Sequence, residues 1–262
     1  MNIMEVITTR KSVRTFDGRE LTAADRERLN AYLAGISNPY GIPVTFVMLD
    51  AQTFGLSSPV IQGEKLYAAA MVPNVQHCEE AFGYSFEKMV LFAWSLGIGT
   101  TWMGGTLDRP LFEKAAGTQE GELMPIASPL GYPAHDKSAT DVKLRAAVHG
   151  DERLPTAELF FDRDFATPLT GVSSQTGQWL EAVRLAPSAA NMQPWRIVRD
   201  GSQFHFYEKH TLSSEGAAWD VQKIDMGIAL CHFMSIAGGT LSLADPGITV
   251  GEKSEYIATV TV

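Results

Sequence analysis

The pattern of apolar and polar positions predicts a helix at the start of the chain and a long central helix in its first half. Ile3, Val6 and Ile7 recur at helical spacing directly before Arg10. The segment 76–96 is apolar on one face at its beginning and nearly all round further on, which is typical of a buried helix. Apolar runs before and after that helix predict strands, at residues 44–49, 65–72 and 125–130.

The second half of the chain repeats this order of elements. A helix that ends near residue 186 precedes a loop and two strands joined by a turn at residues 200–202. A second apolar helix follows over 225–237, whose first residues we interpret as packing positions, and a last strand covers 256–262. Helix, loop, strand, strand, long helix and strand thus occur twice, which indicates an internal duplication.

Length and composition fit either one large domain or two of about half the chain each. The 262 residues are 45% hydrophobic and 19% charged, which is typical of a globular protein. Because the pattern repeats, we predict an amino-terminal half over 1–136 and a carboxy-terminal half over 178–262. The intervening segment 137–177 is rich in Asp, Thr and Pro, and we expect it to cross the surface between the halves.

The overall charge limits the possible ligands. A net charge of -9 disfavours nucleic acid as a partner, and any anionic cofactor would need a local cluster of cations. The apolar stretch over 89–105 is interrupted by Gly, Ser and Thr, so no membrane span is predicted. Two distant cysteines fit a reducing compartment, and we expect a cytoplasmic protein. The six histidines show no metal-ligand spacing, so no metal site is predicted.

The first candidate motif is a cationic pentapeptide, Arg10-Lys11-Ser12-Val13-Arg14. It places three cations and a hydroxyl in five residues, and arginine forks bind phosphate oxygens in pairs. A basic patch at the end of a helix, favoured there by the helix dipole, would give the same pattern. The pentapeptide alone therefore leaves both interpretations open.

The second candidate motif is a glycine-rich run that follows the predicted central helix, over residues 96–106. Its glycines would let the backbone approach a flat ligand without a clash from Cβ atoms. The run follows a helix rather than a strand, so it is not a dinucleotide-binding fingerprint. A helix terminator without a ligand remains the alternative.

The third candidate motif is a loop bracketed by two prolines, Pro187-Ser188-Ala189-Ala190-Asn191-Met192-Gln193-Pro194-Trp195. The prolines stiffen the loop, the Ser and Asn side chains can donate and accept hydrogen bonds, and the Trp anchors the next strand. An ordinary turn between a helix and a strand is the simpler alternative.

Together, and in this order, the three motifs resemble the FMN-dependent nitroreductase family, most closely a branch with two fused nitroreductase-like halves. The resemblance implies an α+β fold that is duplicated, with mostly antiparallel central sheets and long packed helices. In that family each FMN lies at a dimer interface and contacts the first motif of one subunit and the third motif of its partner. Since this chain carries one good copy of each, the resemblance implies a monomeric pseudo-dimer with one flavin site between its halves.

The resemblance also assigns roles to individual residues. It implies that Ser12 contacts the ribityl chain and that Arg14 reaches the N1 edge of the ring. It also implies that the backbone N–H of Met103, Gly104 or Gly105 donates to N5. Gly104 departs from the best-known branch, which has Glu at that position. The implied cofactor-binding residues are Arg10, Lys11, Ser12, Arg14, Met103, Gly104, Gly105, Arg145, Pro187, Ser188, Ala189 and Asn191.

The implied activity transfers electrons from NAD(P)H, through FMN, to a nitroaromatic, a quinone or another electron-poor acceptor. This chemistry belongs to the flavin, so no catalytic side chain is predicted. The alternative is an FMN-binding protein without turnover, which would serve in storage or sensing.

Overall fold

The computed structural model describes residues 2–251 and 253–262, so Met1 and Glu252, which fall in the two predicted halves, lie outside the described residues. The chain divides into two compact units. The first unit contains Thr9–Cys78 and Ser85–His149. The second contains Asn2–Thr8, Glu79–Tyr84 and Gly150–Val262.

The described helices are α1 Ile3–Thr9, α2 Ala23–Ala34, α3 Ala51–Phe54, α4 Cys78–Ser95, α5 Arg109–Ala116, α6 Ala139–Ala147, α7 Thr156–Leu159, α8 Ser174–Arg184 and α9 Val221–Ala237. The described strands are β1 Thr45–Asp50, β2 Leu66–Pro73, β3 Glu122–Leu123, β4 Ala127–Leu130, β5 Phe160–Asp162, β6 Trp195–Asp200, β7 Gln203–Lys209, β8 Thr240–Ser242 and β9 Ser254–Thr261. One 3-10 turn covers Ala189–Asn191. No described helix combines the length and the apolar character needed to cross a bilayer.

The sheet of the first unit is organised around β2. This strand pairs antiparallel with β1 along one edge and with β3 and β4 along the other. Its residues from Leu66 to Val72 are all buried, because neighbouring strands and a packed hydrophobic core surround it. Within that core the rings of Tyr67 and Phe112 meet edge to face, with centroids 5.0 Å apart.

The sheet of the second unit has the order β5-β6-β7-β9-β8 and is antiparallel except for the β5–β6 pair. The hairpin predicted at residues 200–202 is confirmed, since Asp200 pairs with Gln203 across a two-residue turn. Helix α9 packs on this unit with α8 and is buried along most of its length. It begins four residues earlier than the sequence pattern predicts, because the Asp220 carboxylate caps it.

The first turns of α4 that belong to the second unit pack closely on α9. A Cβ at Gly83 would overlap the carbonyl of Ile224, and a Cβ at Gly227 would overlap the carbonyl of Glu80. In each helix the glycine therefore contacts the residue that lies three positions before the other glycine. Only glycine permits this reciprocal approach of two helix backbones.

The predicted fold class is confirmed: the protein is α+β, with mostly antiparallel sheets and long packed helices. The sequence also predicts a helix cap at Thr22, which Asp25 follows at capping-box spacing, and a helix end at Gly97, and both predictions are confirmed. The Thr22 hydroxyl accepts the Asp25 amide at the start of α2, and Gly97 adopts a positive φ of 77° directly after α4. The predicted linking segment 137–177 contains α6, α7 and β5, and β5 is a strand of the second sheet.

Candidate functional site

The cationic pentapeptide of the first unit is held by its backbone. The Val13 amide donates to the carbonyl of Thr100 at 2.8 Å, and the Arg14 carbonyl accepts the Gln62 amide at 2.9 Å. Ser12 forms a parallel bridge with Thr100, just after the glycine-rich turn begins. These contacts fix the course of the main chain without using the charged side chains of the segment.

Two glycines make room for this segment and for Phe16, which follows it. A Cβ at Gly99 would lie 2.7–2.9 Å from the side chain of Val13, and a Cβ at Gly131 would lie 2.8 Å from the ring of Phe16. Both distances are shorter than carbon atoms tolerate. The glycine-rich run therefore admits the pentapeptide, a role that the sequence pattern did not indicate.

Arg10 is the most unusual cation of the first unit. Its Nε atom is fully buried and has no hydrogen-bond acceptor. Burial lowers the pKa of the Arg10 guanidinium below its ordinary value, the Glu87 carboxylate opposes this change, and the nearby Arg145 adds to it. A guanidinium with a buried Nε–H that lacks an acceptor, and with a second cation nearby, is an arrangement that an anion would stabilise.

Glu87 is a functional candidate that the sequence reasoning missed. It is fully buried on α4, and its carboxylate accepts the indole N–H of Trp102 at 3.2 Å. Because it also acts electrostatically on Arg10, it offsets part of the cost of burying that cation. The available signal was an acidic residue within the otherwise apolar part of the central helix.

The other predicted residues of the pentapeptide lie in different surroundings. Arg14 is 18% exposed and pairs at 3.4 Å with Asp141, which is buried in the first turn of α6. Lys11 is exposed and Ser12 half-buried. Arg145 lies in the last turn of α6, so this helix positions cations of the candidate site at both of its ends.

The glycine-rich turn is braced by Arg109, a second residue that the sequence reasoning missed. Its guanidinium donates to the carbonyls of Gly104 at 2.9 Å, Met124 at 2.6 Å and Pro125 at 3.0 Å. Met103 is a core residue whose amide donates to the Ala127 carbonyl at 3.0 Å. Among the three predicted amide donors, this leaves Gly104 and Gly105 as the candidates.

The proline-bracketed loop of the second unit is held by side chains. The Asp225 carboxylate accepts the Ala189 amide with both oxygens, at 3.0 and 3.1 Å. The Ser188 hydroxyl accepts the Gln193 amide at 2.9 Å, and the Gln193 side chain accepts the Leu154 amide at the same distance. Burial raises the pKa of Asp225 well above its ordinary value, although the Ala189 amide favours the charged form.

The backbone of this loop is strained. Ala190, Asn191 and Gln193 have φ values of 47°, 58° and 50°, in the left-handed region that favours glycine. Such conformations persist where surrounding bonds enforce them, and they concentrate at functional sites. The hydrogen bonds from Ser188 and Asp225 supply that enforcement here.

The Asn191 side chain has partners within its own unit. Its amide nitrogen donates to the Glu152 carbonyl at 3.0 Å, and its oxygen lies 3.4 Å from the Arg153 guanidinium. Pro187, Ser188 and Ala189 are half-buried in the same loop. That this loop and the pentapeptide bind one ligand stays a prediction.

The sequence matches one protein-family model, described as "Putative TM nitroreductase", over residues 2–237. No curated protein sequence matches it significantly.

Several solved structures resemble the fold. A "putative nitroreductase" from Thermotoga maritima is 20% identical, with a TM-score of 0.63 over 100% of this chain and 94% of that one. A nitroreductase family protein from Clostridium difficile 630 is 16% identical, with a TM-score of 0.48 over 60% of this chain and 96% of its own. An FMN-dependent nitroreductase from Clostridium difficile R20291 is 12% identical, with a TM-score of 0.44 over 52% and 92%. The Thermotoga maritima structure shows that the two proteins share a fold.

Proposed function

Because the chain belongs to the nitroreductase family whose model it matches, we propose that it is an FMN-dependent oxidoreductase. In this proposal NAD(P)H supplies the electrons, and a nitroaromatic, a quinone or a similar electron-poor compound accepts them. The observation that carries the proposal is the buried Nε–H of Arg10, which has no acceptor and lies near a second cation.

The residues of the first unit fit the phosphate end of FMN. A phosphate offers several charged acceptor oxygens, and Arg10 has a buried donor that lacks an acceptor. A phosphate dianion would also relieve the effect of Arg145, which lowers the pKa of Arg10 when no anion is bound. We therefore assign the phosphate to Arg10 and Arg145, and we assign Lys11 a long-range electrostatic contribution from the surface.

When bound, FMN supplies the two-electron redox chemistry. The chain supplies position and charge. Arg109 holds the carbonyl of Gly104, which limits the freedom of the amides that we propose as donors to the ring. Asp141 holds Arg14, whose charge we propose lies near the ring edge on which negative charge develops. No proton transfer is assigned to a side chain.

We further propose that the loop Pro187–Asn191 binds the same cofactor through its backbone and the Ser188 and Asn191 side chains. Its strained, hydrogen-bonded main chain supports this role, because a fixed loop loses little entropy when a rigid ring binds. This part of the proposal rests on the sequence resemblance and on the local geometry of the loop.

The direct test is spectroscopic. The purified protein is loaded with FMN, and the visible flavin band is followed anaerobically after NADH or NADPH is added. We expect the band to bleach with at least one nicotinamide and to return when a nitroaromatic or a quinone is added. If the protein is yellow but neither nicotinamide bleaches it, the proposed oxidoreductase activity would be overturned. The protein would then bind FMN without catalysing its reduction. A colourless protein that takes up no FMN would overturn the site itself.

A further inference from the structure

A second polar cluster lies in the second unit, apart from the residues assigned to FMN. Glu208 ends the apolar part of β7, His210 follows that strand, and Asp220 precedes α9. One potential ligand atom from each lies within 4.8 Å of the other two. We propose that Glu208, His210 and Asp220 bind one divalent transition-metal ion, for which Zn²⁺ is the best match to a set of one imidazole and two carboxylates.

The first argument is the state of Glu208. Its side chain is 0% exposed, and neither carboxylate oxygen accepts a hydrogen bond. The His210 Nδ1 atom lies 2.7 Å from one of these oxygens, but the contact lacks hydrogen-bond geometry. A carboxylate removed from water without donors is costly, and a bound cation would compensate it.

The second argument is the charge around Glu208. The carboxylates of Asp220 and Glu255 lie near Glu208 and disfavour its charged form. Lys223 acts in the opposite sense, but it bonds to Glu255 at 3.1 Å and so is shared between acids. Negative charge therefore exceeds positive charge around Glu208. A bound divalent cation would neutralise this excess.

The third argument is geometric. Zinc binds nitrogen and oxygen ligands at about 2.0–2.2 Å, so two ligands of one ion lie about 3–4 Å apart. Small side-chain rotations would bring the three groups to that separation. Asp220 Oδ1 already accepts the Gln222 amide at 2.8 Å, which leaves Oδ2 as the oxygen that we assign to the metal. The His210 side chain is 34% exposed, so water can complete the coordination.

The ion would connect the end of β7 to the beginning of α9 and close the loop over residues 211–219. Helix α9 carries Asp225, which holds the Ala189 amide. We therefore assign the ion a structural role in the second unit. The sequence spacing did not predict the site, because the third ligand follows His210 only after a loop.

The experiment uses the full chain without an affinity tag, treated with a chelator that is then removed. Zn²⁺ is titrated by calorimetry, bound metal is counted by elemental analysis, and the melting temperature is recorded. We expect one tightly bound Zn²⁺ per chain and a melting temperature that rises with Zn²⁺ concentration, because the ion binds only the folded state. Mg²⁺ should have little effect, since imidazole is a poor ligand for it.

Two variants locate the ion. Glu208→Gln preserves shape, and Asp220→Asn preserves the helix cap while weakening the ligand. Each should lower the Zn²⁺ affinity by roughly tenfold or more, the least that loss of supporting groups causes at metal sites. Glu215→Gln removes a charge from the exposed loop outside the ligand set and should retain stoichiometric binding.

The absence of stoichiometric binding would overturn the proposal, and so would unchanged affinity in both variants, which would indicate an adventitious ion at other histidines. If a variant does not fold, X-ray absorption of the Zn²⁺-loaded wild-type protein decides, because the number of imidazole ligands can be counted from their characteristic scattering. The proposed site has one imidazole among oxygen ligands, so a spectrum with none, or with two or more, would contradict the assignment. Zn²⁺ binding is measured with and without FMN, so this result is independent of the flavin proposal.

Discussion

The pentapeptide Arg10–Arg14 and the loop Pro187–Trp195 are ordered by opposite means. Main-chain bonds to Gln62 and Thr100 hold the pentapeptide. The loop is held by side chains, chiefly Asp225 and Ser188, and its main chain is strained. The first arrangement leaves charged side chains to act on a ligand, whereas the second fixes a backbone shape.

This difference separates two kinds of contribution to binding. Arg10 retains a buried donor without an acceptor, so a ligand can add a new charge-assisted bond there. The side chain of Asn191 already has partners in its own unit, so a ligand would gain less by contacting it. We therefore expect the pentapeptide to determine the affinity for the phosphate of FMN. We expect the loop to determine how well the shape of the site matches the flavin ring.

The largest effect is expected at Arg10. Arg10→Ala should weaken FMN binding by about 1.5–3 kcal/mol, roughly ten- to hundredfold, because a charge-assisted pair with the phosphate is lost. Riboflavin has the same ring without the phosphate, so its affinity should change much less. The measurement is fluorescence titration of the apoprotein with both flavins.

Arg28→Ala supplies the matched control for Arg10, since this arginine of the same unit has a side chain that is 62% exposed. It should leave the affinity for both flavins unchanged. Equal losses of FMN and riboflavin in Arg10→Ala would show that Arg10 supports the fold or the ring rather than the phosphate. The proposed division between charge and shape would then fail.

The next effect tests how the pentapeptide is seated. Gly99→Ala should destabilise the protein by about 2 kcal/mol, because the new methyl group overlaps Val13 in a packed region. Gly105→Ala is the control for stability, since a Cβ there has nothing within 4 Å. Chemical denaturation compares the two variants. Equal free energies of unfolding would show that Gly99 is not required to admit the segment.

Local signals in the sequence were sufficient for much of the fold. The cap at Thr22, the left-handed Gly97 and the turn after Asp200 were predicted because each depends on a few adjacent residues. Helix α6 and strand β5 were missed within the predicted linking segment. A strand of three residues carries too little periodicity to be recognised, and its burial comes from the sheet it joins.

The sequence predicted which segments form the candidate site. It did not predict the residues that hold those segments in place. Glu87 and Asp225 act on partners that are distant in sequence, so no local pattern indicated these partners. Arg109 lies only five residues after Gly104, but their contact depends on how the turn folds back. Asp225 was interpreted as part of a packing helix, yet its carboxylate anchors the loop. Met103 illustrates the opposite case, since a core position and a ligand-contacting position look alike in a glycine-rich run.

A smaller effect concerns the anchor of the loop. The pKa of Asp225 is raised by burial, so between its ordinary and its raised pKa the folded protein holds a proton that the unfolded chain releases. This group therefore makes the free energy of unfolding fall as the pH rises through that interval. Asp225→Asn retains an acceptor for Ala189 and should remove this contribution, about 1.4 kcal/mol per pH unit.

The measurement is denaturation of metal-free wild type and Asp225→Asn at several pH values above the ordinary range of a carboxyl. Glu208 also has a raised pKa, so both proteins retain a slope from that group, and the difference between them reports Asp225. If the free energy of unfolding changed with pH in the same way for both proteins, Asp225 would be charged in the folded state. The loop would then be held by a charged rather than a neutral acceptor.

The smallest effect is expected at Ala190, where strain and chain entropy oppose each other. Its φ of 47° costs an alanine about 1–2 kcal/mol, whereas glycine adopts it freely but loses about 0.5–1 kcal/mol more entropy on folding. Ala190→Gly should therefore stabilise the protein by up to about 1 kcal/mol, and Ala190→Val should destabilise it. Denaturation midpoints of the three proteins give the order. If Ala190→Gly were the least stable of the three proteins, residue 190 would not be strained in the folded state. The proposal that the loop contributes a fixed backbone shape to binding would then lose its support.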